Sequence, residues 1–444
     1  MKPRHILLLL SALCLSAACG QTEQPPEGSP YDDAEVHSGS RLRARWLEAE
    51  DARQFLGWYD TELDMRCYFV ELKDGYRCIP SQVYIGYLDA ACSQQVAFGA
   101  HGPGLYSVRD PGSDLCGSPP SVELVRLGEA VPNVGDVYAD GGCSSITGDI
   151  EETYQVTERI PLKSTVSARQ ATKSIDTRLE RRLLVSEDGA QEPSALYDRK
   201  LQSGVFAEAD RLAPFASEVW MGYADPECTE PLRPVASSEC PREFGVLDAN
   251  VIDACLTHHE YFRITTQQTD ITQTNVWGYC QGTPDTAFEV EELPRSDLAS
   301  VTVDASGSGR IKQLTARATD SGESLGASGW LDSRWGSECE VGLDEEGKYR
   351  CLPKWGPSAV RVSYNRFRDA SCSLPLAQPV ECSAVVRFAL DYTTRYEVLG
   401  VERLSQAYSI DDGACTLHAL ADFDNYVLSP LTPEDFVAFR EVIE

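Results

Sequence analysis

One stretch of the sequence has the residue types and spacing of a hydrolase nucleophile. Gly322-Glu323-Ser324-Leu325-Gly326 matches the G-x-S-x-G pattern, and Asp391, Asp411 and His418 follow it in the order found in α/β-hydrolases. That chemistry requires a strand, a sharp turn and a helix, which together lift the serine above a parallel sheet. Because the motif lies just before Gly329-Trp330 in a β-rich region, we interpret it as a lengthened hairpin turn and predict no catalytic residue.

A second candidate is a metal site at His258-His259-Glu260, three residues after Cys255. Adjacent residues of a strand point to opposite faces of the sheet, so the two imidazoles do not easily reach one ion. We therefore interpret these histidines as partly exposed strand residues rather than as zinc ligands.

Calcium is the most plausible ion for so acidic a chain, and three aspartates stand at equivalent places: Asp89, Asp225 and Asp369. Each precedes a cysteine by three residues in a Tyr/Phe-x-Asp-x-x-Cys pattern. A carboxylate in that position commonly accepts backbone N–H bonds in a turn. We predict the turn role, and we expect neither a bound metal nor a cofactor.

The beginning of the chain has the pattern of a secretion signal. Lys2 and Arg4 precede an apolar run from Ile6 to Ala18, which is too short to span a membrane as a helix. Ser16-Ala17-Ala18-Cys19 resembles the lipobox of bacterial lipoproteins. The resemblance implies a signal peptide over 1–18 and a lipidated Cys19, although Ser16 stands where leucine is usual. Ordinary signal-peptidase cleavage is the alternative.

The cysteine count and the adjoining composition agree with export to an oxidising compartment. The chain has 16 cysteines, and removing Cys14 with the signal and Cys19 with the lipid leaves an even number for disulfides. Residues 19–40 are polar and rich in Pro, Gly and acidic residues, which predicts a flexible tether after the lipid. We expect a lipid-anchored envelope protein, and by resemblance to enteric sorting Gly20 is compatible with the outer membrane.

The charge balance excludes one class of partner. The sequence has 39 Lys and Arg against 69 Asp and Glu, a formal net charge of −30. Such a charge repels nucleic-acid phosphates and anionic lipid headgroups. We therefore predict no nucleic-acid partner.

The elements that position these residues come from an internal repeat with a period of about 136 residues. Three landmarks recur: an Arg-Leu/Ile pair, the Tyr/Phe-x-Asp-x-x-Cys pattern, and a later cysteine at Cys143, Cys280 and Cys415. The landmarks predict three repeat units, unit 1 over 41–172, unit 2 over 173–306 and unit 3 over 307–444.

Within a unit the apolar residues alternate with a period of two, which predicts strands rather than helices. Asp74-Gly75 and Glu346-Gly347 are typical of hairpin turns. The fold class is therefore all-β. We favour a propeller-like closed array, which hides strand edges; three tandem β-sandwich or barrel domains are the alternative. One helix of about three turns is predicted after Thr432-Pro433.

Several of these motifs together resemble a known family. The lipobox, Gly57-Trp58-Tyr59-Asp60, Asp74-Gly75-Tyr76-Arg77-Cys78-Ile79-Pro80 and Tyr-x-Asp-x-x-Cys are similar to a family of Cys-rich predicted lipoproteins of unknown function from myxobacteria. Unit 1 fits best, and unit 2 lacks the first two cysteines. The resemblance implies a location and a style of fold, and no chemistry.

The repeat also predicts disulfide pairs. Cys67 and Cys78 flank one hairpin turn, Cys339 and Cys351 flank its equivalent in unit 3, and unit 2 lacks both members. Joint loss is what a bonded pair requires, because a single survivor would be a free thiol. The sequence therefore predicts Cys67–Cys78 and Cys339–Cys351. Nearness in sequence suggests three further local pairs, which are Cys92 with Cys116, Cys228 with Cys240, and Cys372 with Cys382.

Taken together, these patterns predict a disulfide-stabilised β-rich binding or structural module, anchored to the membrane by its lipid. A glycan or another envelope protein is the expected partner. An envelope hydrolase whose site is assembled from residues distant in sequence is the alternative function.

Overall fold

The computed structural model describes residues 35–444 except 51, 110–118, 132–136, 140–142, 144, 147–151, 209, 224, 226, 230, 238–242, 249–258, 269–272, 277–278, 283–286, 345, 355–358, 363–365, 378–387, 391–394 and 412–413. The predictions for Cys19, Cys116, Cys240, Cys382, His258 and Asp391 lie outside these residues.

The described chain consists of β-strands, which confirms the predicted fold class. Unit 1 contains β1 (Leu42–Ala49), β2 (Ala52–Asp60), β3 (Met65–Leu72), β4 (Gly75–Ile79), β5 (Tyr84–Tyr87), β6 (Gln95–Phe98), β7 (Gly104–Arg109), β8 (Val122–Ala130), β9 (Val137–Ala139), β10 (Ser145–Ile146) and β11 (Thr153–Ile160). The next strands are β12 (Ser167–Ser174), β13 (Leu179–Ser186), β14 (Gln191–Asp198), β15 (Ser203–Glu208), β16 (Arg211–Pro214), β17 (Ser217–Tyr223), β18 (Pro231–Ser237), β19 (Phe244–Asp248), β20 (His259–Gln268), β21 (Gln273–Val276), β22 (Tyr279–Gly282) and β23 (Ala287–Glu292). The last strands are β24 (Val301–Ser306), β25 (Ile311–Ala318), β26 (Ser324–Asp332), β27 (Ser337–Leu343), β28 (Tyr349–Pro353), β29 (Ala359–Arg361), β30 (Phe388–Leu390), β31 (Arg395–Asp411), β32 (Ala414–Pro430) and β33 (Arg440–Ile443).

Two sheets connect the three units through backbone hydrogen bonds. A ten-stranded sheet has the order β16-β15-β14-β13-β12-β4-β3-β2-β1-β33, and a five-stranded sheet has the order β24-β25-β26-β27-β28. Isolated bridges from Arg211 to Ser300 and from Arg350 to Ala438 continue the pairing from one sheet to the other at both ends. We call this continuous series of paired strands the strand circuit. It brings the first strand of unit 1 next to the last strand of unit 3, β1 beside β33.

Three smaller sheets accompany the circuit, one in each unit. Their orders are β10-β9-β5-β6-β11-β8-β7 in unit 1, β18-β23-β20-β19-β17-β21-β22 in unit 2 and β29-β30-β31-β32 in unit 3. In unit 1 the apolar core joins both sheets, since Trp58 of the circuit packs in the same buried cluster as Leu105 and Leu124.

The structure does not show the favoured architecture, a closed propeller. Propeller blades are separate sheets, whereas β4 pairs with β12 and so joins unit 1 to unit 2 edge to edge. The curled sheets fit the sandwich or barrel alternative.

Each first hairpin of the circuit contains a β-bulge at the same position. The register shifts between Arg45 and Trp46 in β1, between Arg182 and Leu183 in β13, and between Leu314 and Thr315 in β25. A bulge increases the local twist of a hairpin. Gly57 and Gly329 follow the extra residue with φ of +124° and +155°, a backbone conformation that favours glycine.

The helix predicted after Thr432-Pro433 is wrong. The structure has one 3-10 turn, Pro433–Asp435, capped by the Thr432 and Asp435 side chains, and then extended chain that becomes β33. The local start signal is real, but Phe439 packs into a buried cluster with Trp330, and the edge of β1 takes up the next residues as a strand.

Candidate functional site

An arginine and an aspartate form a buried ion pair at the start of each unit. Arg41 donates from Nε and Nη2 to the two carboxylate oxygens of Asp60, at 2.7 Å each. Arg310 pairs with Asp332 in the same way, and Arg178 directs both Nε and Nη2 to Oδ2 of Asp198. The aspartate side chains are 0%, 0% and 2% exposed. We call these three pairs the clamps.

Each clamp also fastens the end of its unit. The same Nη2 group donates to the carbonyl oxygen of Ser164 from Arg41, of Asp297 from Arg178 and of Asp435 from Arg310. These carbonyls belong to the three 3-10 turns that close the units. The clamp therefore joins the first strand of a unit to its last turn, about 120 residues apart in sequence.

The clamp carboxylates accept backbone hydrogen bonds as well. Asp60 accepts from the N–H groups of Glu62 and Leu63, and Asp198 accepts from those of Lys200 and Leu201. Hydrogen bonding to Asp60 raises the pKa of Arg41 above its usual value, so the guanidinium stays charged. With both partners satisfied, the clamps have the features of a structural element.

Carboxylates from neighbouring units cap the first residues of two of the three clamped strands. Asp188 of unit 2 accepts from the N–H groups of Arg41 (2.8 Å) and Leu42 (2.7 Å). Glu50 of unit 1 accepts from the N–H group of Arg310 in unit 3 at 2.6 Å. Burial opposes ionisation of Asp188, but the hydrogen bonds from Ser186, Leu42 and Arg41 outweigh it and lower its pKa.

An indole contact repeats around the circuit in the same direction. Trp58 of unit 1 donates its Nε1–H to Glu192 of unit 2 at 2.6 Å. Trp330 of unit 3 donates to Gln54 of unit 1 at 2.9 Å. The donor lies two residues before a clamp aspartate, and the acceptor lies six residues before the clamp aspartate of the next unit. At the contact of unit 2 with unit 3, these positions hold Leu196 and Gly326. The indole donor and its acceptor are therefore both absent from this third contact. Joint absence is what we expect of two residues whose side chains bond to each other.

The two indole contacts should respond differently to pH, because one acceptor is a carboxyl and the other an amide. Burial raises the pKa of Glu192 to about 7, although the Trp58 hydrogen bond partly offsets this. The unfolded chain loses this proton near the ordinary value of 4.5, so stability falls as the pH rises from 4.5 to about 7. We expect Glu192→Gln, which copies Gln54, to raise the free energy of unfolding by at most about 3 kcal/mol above that window and not below it. Urea unfolding of both proteins across pH measures the difference.

The reciprocal variant is the control for this prediction. Gln54→Glu should introduce the same pH dependence at the contact between units 3 and 1, where the wild type has none from this position. Parallel pH profiles for Glu192→Gln and the wild type would show that Glu192 ionises normally.

The three aspartates considered for calcium are turn residues. Asp89 accepts from the N–H groups of Ala91, Ser93 and Gln94. Asp225 and Asp369 accept in the same way, from Thr229 and from Ser373 among others. Burial alone would raise the pKa of Asp89, but the N–H donors at Gln94 and Ser93 lower it overall. The carboxylates are oriented by their own loops.

The disulfides follow the repeat, but not always the shortest path along the chain. Cys67 bonds to Cys78 and Cys339 to Cys351, each with Cα atoms 5.3 Å apart, in the hairpins for which joint loss predicts them. The three further local pairs need correction. The structure instead has Cys92–Cys143, Cys228–Cys280 and Cys372–Cys415, with Cα atoms 5.5–5.8 Å apart.

Strand pairing explains the correction. Tyr87 pairs with Tyr138 in unit 1, Tyr223 with Gln273 in unit 2, and Phe367 with Tyr408 in unit 3. Each pairing places the later cysteine beside the Asp-x-x-Cys loop, although 43–52 residues separate the bonded cysteines in sequence. A disulfide requires Cα atoms within about 7 Å, and proximity in space decides the partner.

Proteolysis under non-reducing conditions should recover Cys92 joined to Cys143, and the equivalent pair in units 2 and 3. The expected products are disulfide-linked peptides identified by mass spectrometry, with reduced protein as the control. Recovery of Cys92 joined to Cys116 would contradict the structure and restore the local pairing.

The residues of the hydrolase pattern do not form one site. Gly322, with φ of +70°, lies in the turn between β25 and β26, which confirms the predicted hairpin turn. Ser324 begins β26, and its carbonyl accepts from Arg181. His418 belongs to another sheet and contacts the hydroxyl of Ser409 at 2.8 Å. The side chain of Asp411 lies outside the described residues.

His259 lies on strand β20 and contacts Glu208 through Nδ1. Tyr261, two residues on and therefore on the same face, donates to the other oxygen of Glu208. The neighbouring Glu260 is exposed. Within the part of the chain that the structure describes, no three His, Cys, Asp or Glu side chains are grouped as metal ligands.

None of the described residues form a helix that is long and apolar enough to cross a membrane.

Sequence reasoning missed the clamps and the indole contacts. The aligned unit starts already contain Arg41, Arg178 and Arg310, and an aspartate follows each after 19–22 residues. That recurrence was the available signal for the clamps. The indole contacts join different units, so no comparison within one unit could indicate them.

Comparison with curated proteins and with solved structures gives no significant match. One family model matches residues 13–435, which is nearly the whole chain. The match includes all three clamps and every described disulfide. The chain therefore belongs to the Family of unknown function (DUF7481).

Proposed function

We propose that the protein is a lipid-anchored binding module of the bacterial cell envelope that binds a neutral polysaccharide through exposed aromatic rings. Cys19 carries the lipid in this proposal, and the outer membrane is the location. The five described disulfides and the clamps support a rigid exported scaffold.

Two stacked pairs of rings, each with one exposed member, carry the proposal. Tyr84 is 49% exposed and stacks on Phe98, with ring centroids 5.6 Å apart and an interplanar angle of 24°. Phe215 is 43% exposed and stacks on Phe206 at 5.6 Å and 30°. We call these pairs the aromatic platforms.

A glycine lies behind each exposed ring. A Cβ on Gly204 would come within 2.8 Å of the Phe215 ring, so only glycine lets that ring lie where it does. A Cβ on Gly99 would contact the Tyr84 ring at 3.5 Å. Stacking on Phe98 and Phe206 therefore restricts the two exposed rings, and the close approach to Gly204 restricts Phe215 further, so binding to them costs less side-chain entropy.

The chemistry of the platforms and the net charge favour a sugar. A flat, oriented ring presents an apolar face with a negative quadrupole, which suits the C–H face of a pyranose. The formal charge of −30 disfavours anionic polymers at long range. A neutral polysaccharide satisfies both conditions.

The test is a pull-down on insoluble envelope polysaccharide with purified protein. The double variant Tyr84→Ala/Phe215→Ala should reduce the bound fraction at least about tenfold, since ring stacking contributes roughly 1 kcal/mol or more per platform. Tyr68→Ala is the matched control, because Tyr68 is 41% exposed but accepts a hydrogen bond from Arg109 instead of stacking. Equal binding by the double variant and the wild type would overturn the polysaccharide proposal.

The anchor has a separate test. Cys19→Ser removes the thiol that would carry the lipid, so the protein should move from the membrane fraction to the soluble fraction. Stable anchoring needs more than one acyl chain, and this variant would carry none at residue 19. A Cys19→Ser protein that still sediments with membranes and resists high salt would contradict lipidation at this position.

A further inference from the structure

The region from residue 163 to 182 departs from the acidic character of the chain. It contains Lys163, Arg169, Lys173, Arg178, Arg181 and Arg182 against Asp176 and Glu180, a net charge of +4 in a chain of −30. The region consists of a 3-10 turn, strand β12 and the beginning of β13. We call it the basic hairpin.

Two basic residues of this hairpin face solvent without an acidic partner among the described residues. Lys163 and Arg169 are exposed. Arg169 and Lys173 lie four residues apart on β12, so they share a face of the sheet, and the side chain of Lys173 is 62% exposed. The exposed face of β12 therefore carries positive charge.

The first described residues of the chain dock on the same hairpin. Glu35 makes ion pairs with Lys173 and with Arg181 at 2.8 Å, and His37 exchanges backbone hydrogen bonds with Gln191 of β14. The burial of Glu35 opposes its ionisation, but its bonds to Lys173 and Arg181 lower its pKa overall. The polypeptide that leads back to Cys19 thus leaves the strand circuit at the basic hairpin.

We propose that the basic hairpin is the surface that faces the membrane and binds anionic phospholipid headgroups. The inference rests on the proposed lipid anchor, which lies only 16 residues before Glu35, a reach of at most about 55 Å. Screening makes local charge decisive, since charges more than about 10 Å away are largely screened at 0.1 M salt. The acidic remainder of the protein then orients away from the lipid.

The strength required of this contact is small. A basic residue near an anionic surface contributes about 1 kcal/mol, which gives weak affinity for the free protein. Once a lipid holds the chain at the membrane, the contact becomes intramolecular and a high effective concentration favours it. The basic hairpin sets orientation, and the lipid supplies retention.

The test uses full-length Cys19→Ser protein, so that the lipid contributes nothing, in sedimentation with vesicles. At about 0.1 M salt, where the distant acidic residues are screened, this protein should bind vesicles that contain phosphatidylglycerol and not vesicles of phosphatidylcholine alone. Adding Lys163→Glu/Arg169→Glu should weaken binding about 30-fold, which corresponds to about 1 kcal/mol per residue. Equal binding to both kinds of vesicle would overturn the proposal.

A matched charge reversal in unit 3 completes the test. Lys354→Glu/Arg366→Glu makes the same change in net charge at two exposed residues outside the basic hairpin, and it should leave vesicle binding unchanged. Loss of binding by this variant to the same degree would show a general charge effect and would also overturn the proposal. Failure of either arm leaves the tests of lipidation and of polysaccharide binding unaffected, because those use other variants.

Discussion

Replacing Asp60 with Ala should lower the free energy of unfolding by about 3–5 kcal/mol, because the change removes the buried carboxylate that pairs with the largely buried guanidinium of Arg41. The Asp60 side chain is fully buried, and Arg41 is 18% exposed. The N–H groups of Glu62 and Leu63 lose their acceptor at the same time. Urea unfolding followed by circular dichroism measures the loss.

The same arginine offers the control. Arg41 also makes an ion pair with Glu62, whose side chain is 67% exposed. An exposed pair contributes at most about 1 kcal/mol, so Glu62→Ala should have little effect. If Asp60→Ala and Glu62→Ala lower stability equally, the clamp has no special role.

Comparable losses are expected at the other two clamps. Asp198→Ala and Asp332→Ala remove the equivalent buried carboxylates. Because the strand circuit links the three units by hydrogen bonds, each variant should shift one common unfolding transition. Separate transitions for the three units would indicate that they fold independently.

Removing residues 440–444 should lower the free energy of unfolding by about 4 kcal/mol or more, because it opens the strand circuit and removes the carboxylate of Glu441 from the buried guanidinium of Arg45. Strand β33 pairs with β1 from Arg45 to Glu48. Arg45 is 4% exposed and bonds to Glu441 at 2.7 Å. Trp46 donates its indole N–H to Glu444.

Size-exclusion chromatography adds an independent measurement for this truncation. The exposed edge of β1 is a template for pairing with another chain, so the truncated protein should self-associate at concentrations where the full chain does not. Arg440→Ala is the control, since the Arg440 side chain is 80% exposed and, among the described side chains, makes an ion pair only with Glu48. Unchanged unfolding of the truncated chain would mean that β33 adds nothing to the circuit.

The strands and hairpin turns were predictable because their signals are local. Asp74-Gly75 and Glu346-Gly347 provide the φ > 0 residue that a tight turn needs, and both lie in hairpins of the structure. The G-x-S-x-G pattern begins in such a turn at Gly322, and its serine is the first residue of β26. Local geometry also limits the choice for Cys67 and Cys78, because Cys78 pairs with Phe69, two residues after Cys67, and the two cysteine Cα atoms lie 5.3 Å apart.

The predictions that failed each depended on a partner distant in sequence. Thr432-Pro433 has a valid helix start, yet β1, nearly 400 residues earlier, turns the following residues into a strand. Cys92 has Cys116 nearby in sequence, yet the pairing of β5 with β9 brings Cys143 to it. Propensity is a weak prior, and tertiary contacts override it.

The sequence alone determined the all-β class, the threefold recurrence and the disulfides within hairpins, because alternation, turn residues and joint loss act within a few residues or compare equivalent ones. Only the tertiary structure decided the strand circuit, the clamps and the contacts of Trp58 and Trp330 with the neighbouring unit. Backbone hydrogen bonding between strands has no sequence code of its own, so which edges meet depends on how the whole chain closes and buries its apolar faces.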